Sequence, residues 1–158
     1  MARLAITVIK KSAFSVGLSG IRTFARCVQG EDIMARILLV DDEEHIRRYY
    51  TDELSDEGYE VSTLATGHNL LNEIDLLQPE VVVLDIRLAD YDGLELLQEI
   101  RNRHHELPVI LCTVYDTYRY DQKAISADYY VVKSSDLSEL KMAIQKTIEA
   151  NNAVRLMI

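Results

Sequence analysis

The stretch that most limits how this chain can fold is Val81-Val82-Val83-Leu84-Asp85-Ile86-Arg87-Leu88-Ala89-Asp90-Tyr91-Asp92-Gly93. Its opening aliphatic run reads as a strand covered on both faces, as strands are in a parallel sheet. The run stops on a carboxylate, Asp85, and the loop after it closes on Asp92-Gly93. Ligands of open α/β sheets bind just beyond the carboxyl ends of the strands. Asp85 therefore sits where chemistry is expected, not where packing is. A second aliphatic run, Ile37-Leu38-Leu39-Val40, also ends on acids, Asp41-Asp42.

Strand and helix signals alternate through the rest of the chain. Residues 36–40 form the first strand. Residues 43–57 read as a helix with Ile46, Tyr49, Tyr50 and Leu54 on one side and Gly58 in the stop position. Residues 59–64 alternate and are rich in β-formers, so they read as a strand nearer an edge. Thr66 is placed to cap a helix carrying Leu70, Leu71, Ile74 and Leu77, which Pro79 closes. The strand at 81–84 follows, then a helix striped by Leu94, Leu97 and Ile100, then the strand Val109-Ile110-Leu111-Cys112. A fourth helix is expected over 117–125, with Tyr118, Tyr120 and Ala124 but no leucine. A fifth strand over 129–132 precedes a last helix with Leu137, Leu140, Ile144 and Ile148. Ser135 or Asp136 is its expected cap, and Glu139 stands in the capping-box position. Five strands alternating with five helices predict a doubly wound parallel sheet, since each parallel crossover is right-handed and needs a helix. The expected domain covers 34–150 with a tail over 151–158, and the element count leaves no room for a separate output domain.

A formal charge of −9 over 158 residues disfavours a nucleic-acid-binding surface, which is normally basic. Cys27 and Cys112 suggest no disulfide framework. No apolar stretch reaches the length of a membrane span, so a soluble cytoplasmic protein without membrane contact is expected. Residues 1–33 differ from the rest: Arg3, Lys10, Lys11, Arg22 and Arg26 outweigh Glu31 and Asp32. They lack the long apolar centre of a secretory signal, and Gly17 and Gly20 weaken a basic amphipathic anchor. Gly30-Glu31-Asp32 can be encoded by a purine-rich run of the kind that precedes a bacterial start codon. Met34 is accordingly read as the true initiator and 1–33 as an extension outside the domain.

The strand ends deliver Asp41 and Asp42, then Asp85, Thr113 and Lys133, to one edge. Clustered carboxylates repel one another, and a hard divalent cation resolves the repulsion. Mg2+ suits the set better than Ca2+, because it takes few protein ligands and keeps several waters. Lys133 and Thr113 can bind phosphoryl oxygens, and Asp85 then becomes a plausible covalent acceptor.

Val40-Asp41-Asp42-Glu43-Glu44, the strand ending in Asp85 with Asp92-Gly93 behind it, Cys112-Thr113, and Ala127-Asp128-Tyr129-Tyr130-Val131-Val132-Lys133 together resemble the receiver domain of two-component response regulators. The resemblance covers about 35–149 and implies a flavodoxin-like (βα)5 fold. It implies that Asp85 is the phosphoacceptor and that Lys133 contacts the phosphoryl group. Asp42 and Asp85 would bind Mg2+ by side chain, Asp41 through water and Arg87 through its backbone carbonyl. Thr113 would turn toward the phosphoryl group and let Tyr130 rotate inward, changing the surface of the fourth helix, fifth strand and last helix. The implied partners are a histidine kinase or histidine phosphotransfer protein and a downstream protein, and the implied role is a signalling phosphoacceptor rather than an enzyme. Ser134 stands where receivers usually carry proline, Val114 where a small residue is common, and Ser126 where glycine is usual. By the same resemblance, Arg87 and Tyr115 stand at positions that line the approach to the aspartate in this family, and they are expected to shield the acyl phosphate from water. One alternative keeps the fold as a phosphorylation-independent interaction or dimerisation module. Another, a phosphohydrolase, would want an acid where Arg87 stands. His104-His105 and His45 are expected to face solvent. The group Tyr115, Tyr118, Tyr120 and Tyr129 reads either as a partner surface or as loose packing.

Overall fold

The aliphatic runs become β1 (Arg36–Val40), β2 (Glu60–Leu64), β3 (Val81–Leu84), β4 (Val109–Thr113) and β5 (Tyr129–Val132) in a computed structural model that describes residues 34–157. The readings made of residues 1–33 lie outside the described residues. All five strands pair in parallel in the order β2-β1-β3-β4-β5. Val40 lies beside Leu84, so Asp41 and Asp85 leave the sheet as neighbours. The winding reverses between β1 and β3, which is where open sheets of this kind bind ligands.

Side chains alternate across the strands with a period of two. Leu38, Val40, Val82, Leu84, Val109 and Leu111 face α2 (Leu70–Leu77) and α3 (Gly93–Arg103), packing with Leu70, Ile74, Leu97 and Ile100. Ile37, Leu39, Val81, Val83, Ile110 and Cys112 face α1 (Glu44–Asp56) and α4 (Ser138–Leu156), packing with Tyr50, Leu54, Leu140 and Ile144. β1, β3 and β4 are thus covered on both sides, as their unbroken aliphatic runs require. Gly58 ends α1 at φ 87°, and its N–H donates to the Ser55 carbonyl at 2.9 Å. No helix among the described residues is long and apolar enough to cross a membrane.

The expected fourth helix is absent. Its place is taken by two short 3-10 turns, Asp116–Tyr120 and Ala124–Ser126, so the described residues hold four α-helices. Between the turns Asp121 is extended (φ −66°, ψ 137°) and its Oδ1 accepts the N–H of Lys123 at 2.8 Å, which holds the chain in a turn. Ala124 is the buried residue of the two turns, while Tyr120 and Ile125 face solvent. Without an aliphatic stripe, nothing drives a helix onto the sheet there. Thr66 accepts the N–H of His68 (3.2 Å) instead of capping α2, which starts after Asn69 at φ 58°. Asp136, rather than Ser135, accepts the N–H of Ser138 at 2.9 Å at the head of α4. α4 runs to Leu156, so residues 151–156, read as a tail, continue that helix.

Candidate functional site

Burial along β1 continues through Asp41, which is 1% exposed. Its N–H stays on the sheet through the Leu64 carbonyl (3.1 Å), while its Oδ1 accepts the N–H of Glu43 (2.9 Å) and turns the chain into α1. Asp85 leaves β3 in the same way. Its N–H donates to the Val40 carbonyl (2.9 Å) and its Oδ1 accepts the N–H of Arg87 (3.2 Å). Asp42 is half-buried between them. One carboxylate oxygen from each of Asp41, Asp42 and Asp85 lies within 4.8 Å of the others.

The loop behind Asp85 is pulled tight. Arg87 and Asp92 form an antiparallel bridge, and the N–H of Gly93 donates to the Ile86 carbonyl at 2.8 Å. A Cβ on Gly93 would lie 2.1 Å from the Asp85 carbonyl oxygen and 2.7 Å from Ile86 Cα, so only glycine fits this approach. Asp92 caps α3 by accepting the N–H of Leu94 at 2.8 Å.

Lys133 arrives at the end of β5, its N–H on the Thr113 carbonyl at 2.8 Å. Its ammonium lies 2.6 Å from Asp41 Oδ2, 2.7 Å from Asp85 Oδ2 and 3.4 Å from Glu43 Oε1. Burial works against the lysine's charge, but its hydrogen bonds to Asp41 and Asp85 outweigh burial and hold its pKa above the usual lysine range. Burial also raises the pKa of Asp41, and Lys133 offsets this only in part. One ammonium therefore faces three clustered carboxylates. That donor set suits a hard divalent cation, whose ligand distances of about 2.1 Å for Mg2+ need only a small closing of the acids. Thr113 ends β4 fully buried, and its Oγ1 has no hydrogen-bond partner among the described residues. Leaving a buried hydroxyl unpaired costs about 1–3 kcal/mol, a cost that an incoming oxygen ligand can relieve.

Asp41, Asp42, Asp85 and Lys133 therefore meet, with Thr113 at the adjoining strand end and the Arg87 backbone in the loop beside Asp85. Tyr130 stands apart from the acids. Its hydroxyl donates to the carbonyl of Tyr115, two residues beyond Thr113, and the Arg119 guanidinium lies 4.9 Å from its ring centroid. The Arg87 guanidinium turns to the Tyr118 hydroxyl at 3.1 Å, and Val114 and Tyr115 are exposed. Glu43 was not singled out from sequence, although the run Asp41-Asp42-Glu43-Glu44 carried the signal. His104 is more covered than expected, with its side chain 21% exposed and Nε2 3.1 Å from Asp75 Oδ1. His45 and His105 face solvent. The Lys133–Ser134 peptide is trans.

The family described as response regulator receiver domain matches residues 37–145. This chain belongs to that family. Receiver domains are signalling phosphoacceptors rather than classical enzymes, and the five-stranded parallel sheet is the receiver fold. The receiver is similar to the response regulator TrrA of Thermotoga maritima, solved in complex with Mg2+-BeF. The two are 41% identical with a TM-score of 0.70, over 72% of this chain and 99% of that one. TrrA has also been solved with the histidine kinase ThkA, and that structure matches with 41% identity and a TM-score of 0.69, over 73% of this chain and 99% of that one. Among curated proteins, the regulatory protein AtoC of Escherichia coli is 34% identical over 116 residues, 72% of this chain and 25% of its own length. The receiver thus spans a quarter of AtoC and 48% of the next such relative, the transcriptional regulatory protein PcoR.

Proposed function

We propose that this receiver takes a phosphoryl group from a histidine kinase or histidine phosphotransfer protein onto Asp85 and relays the change to a downstream protein. The observation that carries the proposal is the buried Lys133 ammonium, held 2.6 and 2.7 Å from Asp41 and Asp85. Such a cation is positioned for a dianion that has yet to arrive, because it already sits at the oxygen where the new charge will develop. Asp42 and Asp85 by side chain, Asp41 through water and Arg87 through its carbonyl are the groups that would hold Mg2+. When bound, the ion neutralises charge on the acids and on the transferring group. That a 41% identical regulator has been solved with Mg2+-BeF, and separately with a histidine kinase, supports the ion and the kinase in this reading.

In the transfer, an Asp85 carboxylate oxygen bonds to phosphorus as the phosphorus–nitrogen bond of the donor's phosphohistidine breaks. The imidazole nitrogen keeps the electron pair. Lys133 then pairs with a phosphoryl oxygen, and the Thr113 hydroxyl donates to another. Moving Thr113 shifts Val114 and Tyr115, whose carbonyl holds the Tyr130 hydroxyl, so Tyr130 reads the event out at the surface. Hydrolysis resets the site: a water oxygen attacks phosphorus, the bond to Asp85 breaks, and the carboxylate returns with inorganic phosphate. Arg87 and Tyr115 slow that water.

Incubation with Mg2+ and acetyl phosphate tests the proposal by intact mass. The wild-type chain gains one phosphoryl group and Asp85→Asn gains none. Equal incorporation in Asp85→Asn moves the acceptor elsewhere. No incorporation in the wild type leaves the phosphorylation-independent interaction module as the reading.

A further inference from the structure

The connection between β4 and β5 is held unevenly, and the unevenness points to a device. Its second half, 123–128, is pinned by three side chains one turn apart on α3. Glu95 pairs with Lys123. Gln98 Nε2 donates to Ser126 Oγ at 3.0 Å and to the Lys123 carbonyl at 3.3 Å. Arg101 donates to the Ser126 carbonyl at 2.8 Å and to Asp128 Oδ2 at 2.6 Å. The first half, 114–122, is tied to neighbouring strand ends at two points. One is the Tyr130 hydroxyl on the Tyr115 carbonyl, with Arg119 over the Tyr130 ring. The other is the Arg87 guanidinium on the Tyr118 hydroxyl at 3.1 Å. Tyr118 packs against the α2–α3 core and meets the Tyr115 ring edge-on at 6.1 Å, so both ties act on one aromatic unit.

Arg87 is also the residue whose N–H binds Asp85 Oδ1. Its side chain is exposed, and exposed side chains re-orient in picoseconds to nanoseconds. A guanidinium on a neutral phenol makes a hydrogen bond charged on one side only. On a phosphoryl group it makes a bond charged on both sides, often bidentate and roughly twice as strong. We infer that Arg87 is a positioning residue that holds the 116–120 turn through Tyr118 while Asp85 is free, and abandons Tyr118 for the phosphoryl group once Asp85 carries one. The turn then loosens about the α3-pinned segment, in addition to any movement of Thr113 and Tyr130. This rests on the reading of Asp85 as the phosphoacceptor.

Hydrogen–deuterium exchange on the full chain tests the tether. Tyr118→Phe keeps the ring packing and removes the acceptor oxygen. Without any phosphoryl analogue, Tyr118→Phe speeds exchange over 114–122 several-fold and leaves 123–128 at the wild-type rate. Mg2+ with beryllofluoride raises wild-type exchange over 114–122 by a larger factor than it raises the variant's, in which the Thr113–Tyr130 movement alone remains to be triggered. Arg87→Ala matches Tyr118→Phe, and the double variant goes no further than either alone. Wild-type exchange in unliganded Tyr118→Phe overturns the tether, as do effects that add in the double variant. Beryllofluoride that leaves the wild-type melting temperature unchanged sinks the reading of Asp85 instead. The exchange of the unliganded variants still decides whether the tether exists.

Discussion

The Lys133 side chain is 5% exposed and touches three acids, so replacing it separates its structural work from its chemical work. Lys133→Met fills much of the space but leaves Asp41 and Asp85 facing each other without a counter-charge. Breaking a buried ion pair from one side costs about 3–5 kcal/mol. Urea unfolding without divalent ions is expected to show a loss of that size, and Mg2+ to restore most of it by supplying the missing positive charge. Uptake from acetyl phosphate stays slowed by about tenfold or more even with Mg2+, since one electrostatic contact to the reacting group is worth about 10²–10³ in rate. Cys112 makes the opposite case. It is 2% exposed, and burial pushes its thiol up to about 12. Only the thiolate alkylates, and at pH 8 the pH lies far below that pKa, so the group stays protonated. Iodoacetamide at pH 8 is expected to leave Cys112 unmodified in the folded chain and to label it in denaturant, read by peptide mass. The acids and Lys133 were legible because each follows directly on an aliphatic run. Glu43 and Tyr118 were not, because their relevance depends on contacts with Lys133 and Arg87 that no local pattern encodes.

At the level of elements, the loop from β3 into α3 fixes where Asp85 points. Gly93→Ala would press a methyl group into the backbone of Asp85 and Ile86. Destabilisation of about 3 kcal/mol is expected, the upper end for forced overpacking, together with slower uptake from acetyl phosphate. Gly58→Ala is the control: its positive φ costs about 1–2 kcal/mol, but open space surrounds it and uptake stays at the wild-type rate. Equal effects of the two on uptake would show that Gly93 matters for stability alone. The pair Asp92-Gly93 was visible in the sequence as a loop closure, but the reason for glycine was not, since it lies in a close backbone approach. The β-strands were legible because four or five consecutive aliphatic residues have few other uses. The 116–126 connection was misread because a parallel crossover ordinarily requires a helix, and the missing leucine stripe was outvoted by that rule. Polar clamps from α3 do locally what apolar burial does elsewhere.

Across the whole molecule, the chemistry is assembled from strand ends that are far apart in the chain and adjacent in the sheet. The order β2-β1-β3-β4-β5 sets Asp41 beside Asp85 and brings Lys133 next to Thr113. Alternation of apolar runs with turn signals was enough to predict that order's class, because right-handed crossovers leave few topologies. It could not predict that both faces would be closed by four helices rather than five. Lys133 comes from the last of the five strands, with consequences during synthesis. A ribosome that has released β1 and β3 but not β5 displays acids whose balancing cation is still inside the exit tunnel. The acidic edge is therefore electrostatically closed only once β5, the last strand among the described residues, has docked beside β4.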